Sequence, residues 1–176
     1  MKIKVLIFVT VLFLAFTVTV SQAQNMRVGI NLGGVIPTSD LKDIAGTGFG
    51  GDIYLGYKFS EAWMGHVSVG YHRFGSEEVL GFDVEGGLIP IKVGLTKFWG
   101  ERFHTGPSLG LYKGTGDFDS DGADFSDFGI GPRIGYLFPL GDGGTELDLA
   151  FEYHTVFTDP ENATYFGINL GIVFGM

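Results

Sequence analysis

Thr164-Tyr165-Phe166-Gly167-Ile168-Asn169-Leu170-Gly171-Ile172-Val173-Phe174 carries a large apolar residue at every second position: Phe166, Ile168, Leu170, Ile172 and Phe174. Gly167, Asn169, Gly171 and Val173 lie between them. Side chains alternate across a strand, so this stretch has one greasy face and one small, mostly polar face. It ends on an aromatic two residues before the last residue given, Met176. We read it as the closing strand of a barrel whose greasy face meets lipid.

Working outward, seven more segments alternate in the same way: 26–36, 47–59, 63–74, 87–97, 102–112, 126–138 and 145–157. Pro37 is expected to end the first, and Pro90 to weaken the fourth or mark a bulge, because proline has no backbone donor. Each segment is close to the 9–11 residues that a tilted strand needs to cross a bilayer core. None shows a 3.6-residue period long enough for a helix. The links fall into two alternating classes: 60–62, 98–101 and 139–144 are short, whereas the others are mostly longer, 37–46, 75–86 and 113–125, with the shorter 158–163 last. Short periplasmic turns and longer outer loops are the habit of outer-membrane barrels.

Residues 1–23 read as a cleaved signal peptide, with Lys2 and Lys4 ahead of an apolar run over 5–20 and small residues at Ser21 and Ala23. A spanning helix needs about 20 apolar residues, and this run is shorter and contains Thr10, Thr17 and Thr19. Residues 24–176 then form one barrel domain, a location in the outer membrane follows, and a monomer is expected. Without Lys2 and Lys4 the 11 basic residues fall to 9 against 20 acidic ones, a net charge of −11. That balance excludes nucleic acid as a partner. With no cysteine there is no disulfide framework and no thiolate chemistry.

A soluble lipocalin-like carrier would turn the apolar face inward. An eight-stranded barrel has room inside only for its own side chains, which suits the glycine-rich face and not eight rows of Phe, Ile and Leu. The aromatics also gather at strand ends. Tyr57, Phe59, Trp63, Phe98, Trp99, Phe103, Tyr136, Phe138 and Phe174 lie near the short turns, and Phe49, Tyr71, Phe128, Tyr153, Phe157 and Phe166 near the long loops. Two such girdles mark the membrane interfaces.

The signal peptide, eight alternating segments, girdles and terminal Phe174 together resemble the small OmpA/OmpX-type outer-membrane β-barrels. The resemblance implies an all-β, eight-stranded antiparallel up-and-down transmembrane β-barrel. It implies outer-membrane lipid and, through the C-terminal strand, the barrel-assembly machinery as partners.

The inward face would hold Arg27, Asp52, Lys58, His66, His72, Lys92, His104, Arg133, Glu146, Asp148, Glu152 and His154. Charges in so narrow a space must pair. We expect an inward network of Arg133, Asp148, Glu152, Lys58 and Lys92 that blocks ion flow. A symmetric link over 139–144 would set Arg133 opposite Ala150, with Asp148 and Glu152 as its diagonal neighbours. The sharper alternative is a barrel enzyme acting on lipid or peptide with Glu152, His154 and His72. No serine stands beside them in a recognisable constellation, so no catalytic residue is assigned. In the third long loop Asp117, Asp119 and Asp121 make half of a calcium-loop signature, but its twelfth position is Phe128 instead of Glu. The loop is read first as a solvated acidic surface and second as a Ca²⁺ site; no other cofactor is expected.

Overall fold

The computed structural model describes residues 25–43, 45–75, 77–79, 82–84, 86–116, 127–158 and 161–175. Residues 1–23, read above as a signal peptide, lie outside them, as do Asp117, Asp119 and Asp121. The barrel strands are β1 (Met26–Thr38), β2 (Gly46–Ser60), β3 (Trp63–Gly75), β4 (Gly86–Trp99), β5 (Phe103–Gly106 and Ser108–Gly116), β6 (Asp127–Ile130 and Arg133–Pro139), β7 (Thr145–Val156) and β8 (Ala163–Gly175). Each is antiparallel to its neighbours in sequence. β8 pairs with β7 and also with β1, from Arg27 opposite Gly175 to Thr38 opposite Thr164, and this closes the ring. The architecture is the expected eight-stranded up-and-down barrel.

The two interruptions share one cause. Ser108 and Gly131 exchange both of their backbone hydrogen bonds, so the next pair along the ladder is Pro107 against Pro132. Neither proline has an N–H. Their carbonyls still accept, Pro107 from Leu95 N and Pro132 from Tyr153 N, and the register is the same on both sides of the break. Pro90 behaves similarly. The β3–β4 ladder omits Gly70, Tyr71, Ile89 and Pro90, then resumes at His72 opposite Leu88 without a bulge. The expected bulge is therefore absent, and only the ladder is weakened. Pro37 does not end β1 either. The β1–β2 ladder stops at Val35, so at Pro37 only β8 needs a partner, and β1 runs on to Thr38. The outer loops carry two further elements: a 3-10 turn, Ser39–Asp43, and a hairpin of Glu77–Val79 with Phe82–Val84.

Burial follows the alternation. Phe166, Ile168, Leu170, Ile172 and Phe174 are exposed, while Tyr165, Gly167, Asn169, Gly171 and Val173 are buried. Both girdles stand outward with one exception: Phe98 is 5% exposed and points inward. It has the parity of Thr96, not of Trp99, and packs with Tyr54, Met64, Leu137 and Val173.

Inward glycines serve inward rings. Gly29 faces Tyr54, Gly50 faces His72, Gly94 faces His66 and Gly135 faces His104, each pair directly across a ladder. In every pair a Cβ on the glycine would fall inside the ring's contact distance. The rings can lie flat against the wall only because these positions lack a side chain. At Gly135 an added Cβ would sit 2.5 Å from His104 Cε1 and 3.0 Å from Ala150 Cβ. Gly135→Val should therefore unfold at lower urea in detergent, losing about 1–3 kcal/mol to overpacking. Gly143→Val, in a turn with nothing within 4 Å, should match the parent.

Candidate functional site

The alternation that turns apolar side chains to lipid turns every strand's polar set to one axis, so the candidate site is the barrel interior. It is layered along that axis. At the short-turn mouth Arg27 Nη1 lies 2.5 Å from Glu146 Oε2, and Lys58 Nζ sits 4.6 Å from the Phe98 ring centre. Above them comes the apolar cluster of Tyr54, Met64, Phe98, Leu137 and Val173. A polar middle follows. The long-loop end is closed by a second apolar cluster that includes Val35, Phe74, Leu88 and Val156, with Leu41 and Ala45 folded in from the first outer loop.

Two ion pairs organise the middle. Arg133 Nη2 donates to Asp148 Oδ2 at 2.8 Å, and His104 Nε2 lies 3.0 Å from Asp148 Oδ1. Lys92 Nζ donates to Glu152 Oε1 at 2.7 Å, and Ser108 Oγ donates to the same oxygen at 3.2 Å. Lys92 and Glu152 are each 3% exposed. Beside them Asn31 Nδ2 donates to Asp52 Oδ1 at 2.9 Å. A cavity of about 30 Å³ touches Ser68, Lys92, Arg133, Asp148 and Glu152. That is space for about two water molecules.

The expected register of β6 against β7 is corrected by two residues. Arg133 stands directly opposite Glu152, and Gly135, not Arg133, opposes Ala150. The turn explains the shift. Gly141 and Gly144 take positive φ of 81° and 71°, and Leu140 N donates to Thr145 O. Left-handed backbone of this kind favours glycine, so the turn is set one residue later than a symmetric link over 139–144. Arg133 consequently binds one carboxylate of the expected two. Glu152 is held from across the barrel by Lys92 on β4, a pairing that neighbouring-strand reasoning does not reach. Lys58 stays at the mouth and lines the opening there with Arg27 and Glu146.

His72 and His154 do come together, with ring centres 5.3 Å apart. His72 Nδ1 lies 2.8 Å from the Tyr165 hydroxyl, and His154 Nδ1 lies 3.0 Å from that of Tyr112. His154 and Tyr165 stack at 4.3 Å. Both histidines are buried, 3% and 0% exposed. Glu152 Oε2 is 3.6 Å from His154 Nε2, beyond hydrogen-bond reach. The hydrogen-bond partners of these imidazoles are tyrosines, whereas a hydrolytic site needs a serine or aspartate there and access for a substrate. Tyr54 and Tyr112 stand on the inward side of their segments as alternation expects, but they and Tyr165 are not part of the expected network. Their inward parity marks them: each falls in step with Asp52, Gly110 or Gly167. Among the described residues no group of three or more His, Cys, Asp or Glu is arranged to hold a metal ion.

An eight-stranded closed sheet with a lipid-facing apolar wall and a packed polar axis defines a transmembrane β-barrel. Over residues 8–174 the chain matches the outer membrane protein beta-barrel domain family, and it belongs to that family. Its location is accordingly the outer membrane. No curated protein matches it by sequence. Among solved structures it is similar to the Neisserial surface protein NspA, at 16% identity and a TM-score of 0.68, covering 86% of this chain and 97% of that one. It is also similar to Ail, the attachment invasion locus protein of Yersinia pestis, solved in complex with the heparin analogue sucrose octasulfate. There the identity is 18% and the TM-score 0.56, over 85% of this chain and 99% of that one. The N-terminal barrel domain of Pseudomonas aeruginosa OprF matches at 18% identity and a TM-score of 0.55, over 86% and 98%. At these identities the likeness is one of fold.

Lys92→Met removes the only ammonium that meets Glu152 among the described residues, and should cost about 3–5 kcal/mol of stability in detergent. Arg133→Met should cost less, because His104 still bonds Asp148. Lys92→Met combined with Glu152→Leu should recover part of the Lys92 loss. Urea unfolding of the three variants ranks them, and Arg133→Met as the most damaging would contradict the pairing described.

Proposed function

We propose that this protein is a filled outer-membrane barrel with a structural or surface-interaction role, and neither an open pore nor an enzyme. The observation that carries the reading is the interior. An apolar cluster lies toward each end of a polar middle built on two ion pairs, and the cavity that reaches from this middle along Tyr54, Met64, Phe98 and Leu137 to Arg27 is only about 30 Å³. A hydrated ion needs a continuous path, and an eight-stranded barrel is just wide enough to be filled by its own side chains. The buried His–Tyr pairs serve the same packing and argue against catalysis at that end.

Function is then carried by the loops. Thirteen of the 20 acidic residues fall in the four outer links, with Asp127 counted in the third. Ail was solved with a polyanionic heparin analogue; loops as acidic as these repel such a ligand. They suit a basic partner or one bridged by divalent cations. Asp117, Asp119 and Asp121 are the residues we propose for weak Ca²⁺ binding. The terminal strand that ends on Phe174 is the segment we propose the barrel-assembly machinery reads.

Purified protein in planar bilayers should give no steady conductance of porin size. Large, reproducible open channels would overturn the reading.

A further inference from the structure

Lys97 is the one cation on an outward strand position at the short-turn end, among the described residues. It lies in β4 between the outward Leu95 and Trp99, with the inward Thr96 and Phe98 alternating. Its Nζ is held by rings. It sits 3.7 Å from the Trp99 ring centre and 5.6 Å from that of Trp63. It makes no ion pair with any described residue, although Glu61 and Glu101 occupy the neighbouring turns. Trp63 on β3, Lys97 on β4 and Thr105 on β5 form one cross-strand row. Trp99 Nε1 donates to Thr105 Oγ1 at 2.9 Å. The Thr105 hydroxyl accepts that bond and keeps its own proton to donate.

An ammonium has three donors and no acceptor. Here the indoles engage it through cation–π attraction, which fixes the head without using its N–H groups in hydrogen bonds. The row stands on the lipid-facing wall, at the depth of the aromatic girdle. The anion present at that depth all around a barrel is the phosphodiester of a lipid headgroup. We propose that Trp63, Lys97, Trp99 and Thr105 form a binding site for the phosphate of an anionic phospholipid in the leaflet on the short-turn side. The proposal rests on the membrane reading above. Lys97 and the Thr105 hydroxyl would donate to the phosphate, while the two indoles cover the upper acyl chains.

Trp63 and Trp99 are the two tryptophans of the whole chain, so intrinsic fluorescence reports on this site. The test is quenching by lipids brominated on their acyl chains, phosphatidylglycerol against phosphatidylcholine, in mixed vesicles. The parent should prefer the anionic lipid by about five-fold, what one cation at a membrane surface contributes. Lys97→Met should bring the ratio close to one, and Lys97→Arg should keep it. Thr105→Val, which leaves both rings and the cation in place, should lower it. Millimolar inorganic phosphate should not displace the lipid. No preference in the parent, or a preference unchanged in Lys97→Met, would overturn the site, as would equal competition by free phosphate. Faster migration of the unboiled sample on a gel checks separately that each variant is a closed barrel. Loss of that shift in the parent would sink the membrane reading instead.

Discussion

A backbone N–H or C=O left unpaired in hydrocarbon costs several kcal/mol, because no water stands by to replace the lost partner. A sheet in lipid can therefore have no free edge. In this chain the requirement is met where β8 pairs with β1 over its full length, from Gly175 opposite Arg27 to Thr164 opposite Thr38. Closure also sets what can be tolerated elsewhere. Pro107 and Pro132 each lack a donor, yet they face one another, and their carbonyls still bond outward to β4 and β7. Placing the two defects together leaves the pairing of Ser108 with Gly131 intact on one side and that of Gly106 with Arg133 on the other.

Closure at eight strands leaves a narrow axis, and most of what is distinctive inside follows from that. Large rings fit because glycine faces them, as Gly29 does Tyr54 and Gly50 does His72. Lys92, Glu152, Arg133 and Asp148 fit because each meets its opposite, and Asp52 fits because Asn31 donates to it. Burying a charge pair yields little net stability, whereas losing one partner is severe. The Lys92–Glu152 and Arg133–Asp148 pairs thus act more to fix one arrangement of side chains than to add stability. In the role proposed above, the same packing leaves no continuous water path, and the loops are the surface offered to a partner other than lipid.

Alternation made the wall, its two faces and the strand count legible in the sequence, since the period of two survives every proline. Register was less legible. Whether Arg133 faces Ala150 or Glu152 depends on which residues of the link over 139–145 take positive φ, and a symmetric reading of that link puts the turn one residue early. Long reach was not legible at all: Lys92 and Glu152 lie on β4 and β7, which are not neighbours, so no ladder relates them. Phe98 was assigned to the girdle by position along the strand, while its parity with Thr96 places it inside. Parity is the stronger guide because a one-residue error exchanges lipid for core.

The central claim is closure of β8 onto β1 in the stated register, and the absence of native cysteine makes a direct measurement available. Ile30 and Ile172 stand opposite each other on the outward face, whereas Ile30 and Leu170 are offset by one diagonal step. Directly opposed strand residues have Cα atoms about 4.5–5.5 Å apart, within the range that a disulfide spans. In folded protein, I30C/I172C should oxidise rapidly to an intramolecular disulfide that shifts the reduced-versus-oxidised gel mobility, and I30C/L170C should not. Efficient cross-linking of the offset pair, or of neither, would contradict the closed barrel described here.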